Sequence, residues 1–301
     1  MNDCSLDNAS TKTHEQTLKD QQKSLFSRDT LYAQYFSAAP QFSFDAQVAA
    51  VFPDMIRRSV PGYGTLLEIV PAIAAQTLSP GDRVYDLGCS VGAGLLAVQH
   101  ALPLVAEQHA ASANRVLAAD NDPTIELIGV DTSAEMLTRA KALFEGFSLE
   151  AFVPPNHTQP EHRLKHNTDF LVADIREITL QPAKLILLNY TLQFLPIEQR
   201  DTLIRKIYHS LVPGGALLIS EKVIDPEDDT EACLGHLHET FKLSQGYSAL
   251  EVARKREALE NVLVREHTDA HLERLSQAGF HQVTRVMQCL QFTSWLAKKP
   301  G

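Results

Sequence analysis

Residues Tyr85 to Gly94 read YDLGCSVGAG, completing the short apolar segment RVYDL and leading into LLAVQHALPLV, whose apolar residues recur at helical spacing. The glycines therefore fall where a buried strand gives way to a helix. Gly88 can take backbone angles closed to other residues. Its missing side chain lets a ligand lie against the main chain, and the following helix offers unpaired N–H groups. The same loop also serves as a plain strand-to-helix turn in α/β proteins. A dinucleotide fingerprint would read G-x-G-x-x-G, whereas the order here is G-C-S-V-G-A-G, with Asp86 two residues ahead of the first glycine.

Downstream, NRVLAAD ending at Asp120 and IELIGVD ending at Asp131 compete to be the second core strand. Asp120 leads into the turn Asn-Asp-Pro, while Asp131 leads into TSAEMLTRAKALF, where Thr132 and Glu135 have capping-box spacing ahead of an apolar helix. That selects Asp131, whose carboxylate at a strand end can accept from both ribose hydroxyls, as an acid does at the same place in dinucleotide sites. The usual spacing from the glycine loop is then exceeded, and a stretch near 104–124 counts as an insertion. A second insertion near 151–169 carries three prolines and His157, His162 and His166. No ligand frame supports a metal there. DFLVADIRE then gives a strand running to Asp174 and Ile175, and AKLILLN one ending in Asn189, each at the edge where open α/β sheets bind ligands. Asp174 could accept from an adenine amino group, with Ile175 against the ring.

NYTLQFLPIEQRDTLIRKIYHSLVPGGALLISE predicts a helix with Leu203, Ile207 and Leu211 on its apolar side, a turn at Pro213-Gly214-Gly215, and a buried strand. Together with the glycine loop behind Asp86, this order resembles class I S-adenosylmethionine-dependent methyltransferases. The resemblance implies a Rossmann-like α/β fold, with a mostly parallel sheet, helices on both faces, helical additions and a closing antiparallel hairpin in HQVTRVMQCLQFTSWLAKK. Gly279 is the expected stop of the helix before that hairpin. Residues 27–301 are expected to form this one domain, with FSFDAQVAAVFPDMIRRSVPGYGTLLEIVPAIAAQTL as a helical entry and Tyr63 held by the turn Pro61-Gly62. Cys89 reads as a small residue tolerated in the loop, because no basic partner lies nearby in sequence. His267 and His271, four apart with no third ligand, read as helix-surface groups.

Residues 1–26 are polar, and their composition predicts a disordered extension. Their deletion is expected to leave melting temperature and ligand affinity unchanged; a substantial loss of either would overturn the reading. A formal net charge of −10 argues against a large nucleic acid as direct substrate. The four cysteines form no C-x-x-C pair, which fits a reducing cytoplasm. No segment has the length and apolarity of a signal peptide or a membrane span, so neither export nor embedding is expected.

FDAQVAAVFPDMIRRSVPGYG, VYDLGCSVGAG, LLNYTLQFL, GGALLISEK and FKLSQGYSALEVARKREALENVL together resemble the carboxy-S-adenosyl-L-methionine synthases, bacterial relatives of the methyltransferases. The resemblance runs from Ser27 to about Lys298, broken by the two insertions. It implies conversion of S-adenosylmethionine and prephenate to carboxy-S-adenosylmethionine and phenylpyruvate with loss of water. It further implies a homodimer, and a downstream tRNA carboxymethyltransferase that uses the product on the wobble uridine. Ligand contacts implied residue by residue are Tyr63, Gly88, Cys89, Ser90, Asp131, Thr132, Asp174, Ile175, Asn189 and Arg256, with Tyr63 and Arg256 nearest the chemistry. Thr132 stands where the family often has asparagine, so the implied contact that survives is its backbone N–H. Arginine at 256 makes chemical sense because an added carboxylate suits a forked cationic donor, although a solvated helix charge would look the same in sequence. An ordinary small-molecule methyltransferase and a non-catalytic S-adenosylmethionine-binding partner remain as alternatives.

Overall fold

The computed structural model describes residues 27–33, 42–113, 124–146, 164–260 and 262–301. The extension at 1–26, Asp120, His157 and His162 lie outside them. Strands β1 (Arg83–Leu87), β2 (Ile125–Asp131), β3 (His166–Val172), β4 (Ala183–Asn189), β5 (Leu211–Lys222), β6 (Gln282–Cys289) and β7 (Phe292–Lys298) form one sheet in the order β3-β2-β1-β4-β5-β7-β6. β1 to β5 pair in parallel, and β7 runs antiparallel to both its neighbours. This is the expected mostly parallel sheet with its closing hairpin. The strand order reverses between β1 and β4, so the carboxyl ends of those two strands flank the crevice where such sheets take ligands.

Alternation along each strand divides the core into two layers. Val84, Leu127, Leu185 and Leu187 face helices α2 (Tyr63–Thr77) and α3 (Ala93–Ala113) through Leu66, Val70, Leu95 and Val98. Tyr85, Leu87, Ile186 and Leu188 face α5 (Ile197–Ser210) and α8 (Thr268–Ala278) through Leu203, Ile207 and Leu275. Gly279 ends α8 in the left-handed region at φ 112°, as its position predicts.

Several local expectations are corrected. α3 continues to Ala113 with Val105 and Ala106 buried, so the first part of the segment near 104–124 is core helix. His166 opens β3 instead of lying in the second insertion. Pro213-Gly214-Gly215 is not a free turn. β5 already begins at Leu211, and its register against β4 jumps from Ala183↔Leu211 to Leu185↔Ala216, so the glycines accommodate a bulge. The cap of helix α4 (Ala134–Gly146) is Ser133, not Thr132, because the Ser133 hydroxyl accepts the Met136 N–H at 3.2 Å. His271 is not on the surface: it is 2 % exposed, stacked on Trp295, and burial pushes its imidazole down to about 4. His271 shares the inward face of α8 with Leu275 and Ala278, and the spacing of His267 and His271 could not show which helix face turns inward.

Helices α1 (Ala46–Ser59), α6 (Asp228–Ser244) and α7 (Ala249–Leu259) lie apart from these two layers, and Val48, Ala49 and Met55 of α1 with Ala258 of α7 form a third buried cluster with Val91 and Met136. Asp45 caps α1 by accepting the N–H groups of Gln47 and Val48. Asp29 joins these helices to the described segment at 27–33. Its carboxylate accepts from the Tyr247 hydroxyl at 2.5 Å and the Lys255 ammonium at 3.0 Å, and its backbone carbonyl accepts from Arg58 at 3.1 Å. All four residues are buried. This network fixes α7, and hence Arg256, relative to the crevice.

Candidate functional site

A cavity of about 1380 Å³ opens over the carboxyl ends of β1 and β4 and beneath α1, α6 and α7. Gly88 follows β1 at φ 79°, and its N–H donates to the Val130 carbonyl at 2.8 Å. Ser90 is also left-handed, at φ 52°, so the loop turns twice before α3 begins. A side chain at Gly88 would overlap Thr191, which follows β4, so two strand ends meet here with no room between them. Gly94 is required for a different reason. A Cβ there would stand 2.5 Å from Asp86 Oδ2, and the Asp86 carboxylate accepts the backbone N–H of Leu95 at the start of α3.

Asp131 ends β2 and locks the loop from the side. One oxygen accepts the Ser90 N–H at 2.9 Å and the other the Ser133 N–H at 2.9 Å. Burial raises its carboxyl, and those backbone donors oppose the rise. Asp86 is 4 % exposed; burial, helped by the negative charge of Asp131, pushes its carboxyl up to about 7. Neither acid has a cationic side chain in the described residues within ion-pair distance. This end of the cavity therefore suits a ligand that brings hydroxyl or positively charged groups.

All ten residues named from sequence line this one cavity. Cys89 is 5 % exposed, and burial followed by the charges of Asp86 and Asp131 pushes its thiol far up, which favours the neutral thiol over a thiolate. Thr132 is exposed beside Asp131. Ile175 is buried, ready to face a flat ring, while Asp174 is engaged by Arg176, whose guanidinium holds its carboxyl below the usual range. Asn189 has its side-chain oxygen taken by the Ser220 hydroxyl at 2.7 Å. Tyr63 opens α2 behind Gly62 and leans on Tyr190 at a ring separation of 6.4 Å. Burial, then Asp86, pushes its hydroxyl up, which keeps it a donor. Arg256 reaches the cavity from α7 with its side chain 69 % exposed and paired to Glu239 at 2.7 Å.

Sequence reading missed the opposite wall. Phe44 and Phe194 meet edge to face at 5.4 Å, and Tyr190 meets Phe292 at 5.8 Å, which makes an aromatic lining. α6 contributes Glu231, Gly235, His238, Glu239 and Lys242. Glu231, Gly235, His238 and Lys242 recur at three- and four-residue intervals, with Glu239 beside His238, a visible helical stripe, but such a polar stripe normally faces solvent. Among the described residues no group of three or more His, Cys, Asp or Glu is placed to hold a metal ion, and no helix is long and apolar enough to cross a membrane.

Residues 85–219 match the family model for a methyltransferase domain. A putative O-methyltransferase from Nostoc punctiforme has the same fold, with a TM-score of 0.51 at 16% identity, covering 94% of this chain and 68% of that one. Similarity in sequence is far closer to two curated proteins named carboxy-S-adenosyl-L-methionine synthase. That from Chromohalobacter salexigens is 42% identical over 90% of this chain and 88% of its own, and that from Hahella chejuensis is 40% identical over 91% and 99%. Identity at this level across nearly the whole length of both proteins, over a methyltransferase-type sheet, means that the chain belongs to the carboxy-S-adenosyl-L-methionine synthase family.

Proposed function

We propose that this protein converts S-adenosylmethionine and prephenate to carboxy-S-adenosylmethionine, phenylpyruvate and water. The observation that carries the reading is convergence: the ten positions implied by the family resemblance come from well-separated segments and line a single cavity. S-adenosylmethionine would lie with its ribose at Asp131, its adenine beside Ile175 and its methionine part over the Gly88–Ser90 loop. Asp174 would exchange part of its hold on Arg176 for the adenine amino group.

The reaction balances without an added oxidant or reductant. Prephenate loses carbon dioxide, and the electron pair of the broken C–C bond moves through the ring and expels hydroxide, leaving phenylpyruvate. Hydroxide takes a proton from the sulfonium methyl group and becomes water; the methyl carbon then bonds to carbon dioxide. Since the proton acceptor comes from the substrate, the protein's work is orientation and exclusion of bulk water. A buried, neutral Cys89 and the aromatic walls suit that work. The wider reading includes a cytoplasmic homodimer and a downstream tRNA carboxymethyltransferase as consumer of the product.

The test is mass spectrometry of protein incubated with S-adenosylmethionine and prephenate. A product heavier than S-adenosylmethionine by one carbon dioxide supports the synthase. Turnover only with methyl acceptors selects an ordinary methyltransferase, and binding without turnover selects a non-catalytic partner.

Arg256 is the proposed carboxylate contact. Because its side chain is mostly exposed and already paired with Glu239, the cost of a buried unpaired charge does not apply. Arg256→Leu is expected to weaken carboxy-S-adenosylmethionine relative to S-adenosylmethionine by about tenfold, or ~1.4 kcal/mol. Competitive calorimetry with both ligands measures the difference, and equal losses would remove Arg256 from the carboxylate.

A further inference from the structure

Lys242, on α6, is only 8 % exposed and lines the cavity. Among the described residues its ammonium makes no hydrogen bond and no ion pair. Buried lysines are ordinarily paired; Lys242 instead has a mostly buried stem and an ammonium that keeps accessible surface on the cavity side, open to a ligand. The other cations around it are satisfied: Lys255 by Asp29, Arg256 by Glu239 and Arg265 by Glu231.

Lys222, at the end of β5, is half-buried and also has no carboxylate partner among the described residues. Its ammonium has no carboxylate within ion-pair distance in the described residues; it stands 3.3 Å from His238 Nδ1 and 5.6 Å from the centre of the Phe292 ring. The His238 ring is held from its other side, with Nε2 2.8 Å from the Ser59 carbonyl. A carbonyl only accepts, so Nε2 carries the proton and Nδ1 is left to accept from Lys222. Histidine thus aims the lysine without neutralising it. Gly235, one turn before His238 on the same stripe, has open space where a side chain would be.

The cavity is therefore polarised. Among the described residues, Asp86 and Asp131 at the glycine-loop end have no cationic partner, and Lys222, near the Phe292 ring, and Lys242 at the α6 end have no carboxylate within ion-pair distance. Resting on the synthase reading above, we propose that Lys222 and Lys242 bind the two carboxylates of the second substrate, a dicarboxylic acid with a ring body, and that His238 positions Lys222. The cationic sulfonium ligand is then drawn to one end and the dianion to the other, which brings the donor of carbon dioxide to the methyl group between them. Burial pushes both lysines down to about 8, with Arg265 and Lys242 adding to the effect on Lys222 while Glu231 and Glu239 oppose it. For Lys242, Glu239 opposes while Lys255 and Arg256 add. A bound dianion would reverse that shift.

Lys222→Met and Lys242→Met test the assignment in the full chain. Each is expected to raise KM for prephenate tenfold or more, while the affinity for S-adenosylmethionine by calorimetry changes less than twofold and Tm holds or rises. A merely structural lysine would give a lowered Tm with unchanged KM, and that result overturns the proposal. His238→Gln, which keeps an acceptor for Lys222, should retain more activity than His238→Leu; equal loss removes His238 from the positioning role. Calorimetric titration of the S-adenosylmethionine-loaded protein with prephenate separates the two readings. If wild type makes no carboxylated product but binds prephenate in a manner that either lysine variant abolishes, the anion site stands and the synthase reading fails. If wild type makes product and the lysine variants keep its KM, the synthase reading stands and this site fails.

Discussion

Asp131→Ala is expected to weaken S-adenosylmethionine binding ten- to a hundredfold, about 1.4 to 2.7 kcal/mol. Two losses add. The ribose loses a charged acceptor, and the Ser90 and Ser133 N–H groups that the carboxylate holds at 2.9 Å each lose their partner, so the glycine loop loosens before any ligand arrives. Asp131→Asn keeps one side-chain oxygen and should fall between the alanine variant and wild type. Asp120→Ala is the control and should leave affinity unchanged, since β2 ends at Asp131 and that strand end lies beside Gly88. Calorimetric titration of the three variants reads the effect. Wild-type affinity in Asp131→Ala, or a tenfold loss in Asp120→Ala, would contradict the assignment.

Gly88→Ala is expected to lower stability by roughly 2 to 4 kcal/mol and to abolish measurable S-adenosylmethionine binding. The added methyl would overlap the Thr191 side chain, and φ of 79° is strained for any residue with a Cβ. These causes separate experimentally. Adding Thr191→Ala relieves much of the overlap but not the strain, so the double variant should recover part of the lost melting temperature and keep a residual deficit of about 1 kcal/mol. Full recovery would mean that backbone angle is unimportant; no loss in the single variant would mean that the two strand ends are not in contact.

Much of the site could be read from the chain because it sits where local rules and the sheet topology coincide. A strand followed by glycines, a strand followed by a helix cap, and an acid or amide at each strand end are patterns of a few residues. Repeating them in a parallel sheet brings those ends to one edge. Asp131 could be preferred to Asp120 because the residues after it begin a helix. The details that went astray were of another kind. Thr132 and Ser133 differ by one residue in which hydroxyl reaches Met136, and the bulge at Pro213–Gly215 depends on a register against β4 that lies in another segment.

By itself the sequence determined the sheet, its ligand-binding edge and the family, because each rests on short-range periodicity or on the order of motifs. Only the tertiary structure decided which polar residues turn inward and what each of them faces. His267 and His271, or Glu239 and Lys242, look alike as text. Whether each meets water, Trp295, Arg256 or a cavity depends on how α6 and α8 rotate against distant segments. The cost of a charge is set by its surroundings, not by its neighbours in the chain. Lys222 and Lys242 therefore became visible as a pair only once β5 and α6 were brought around the same space.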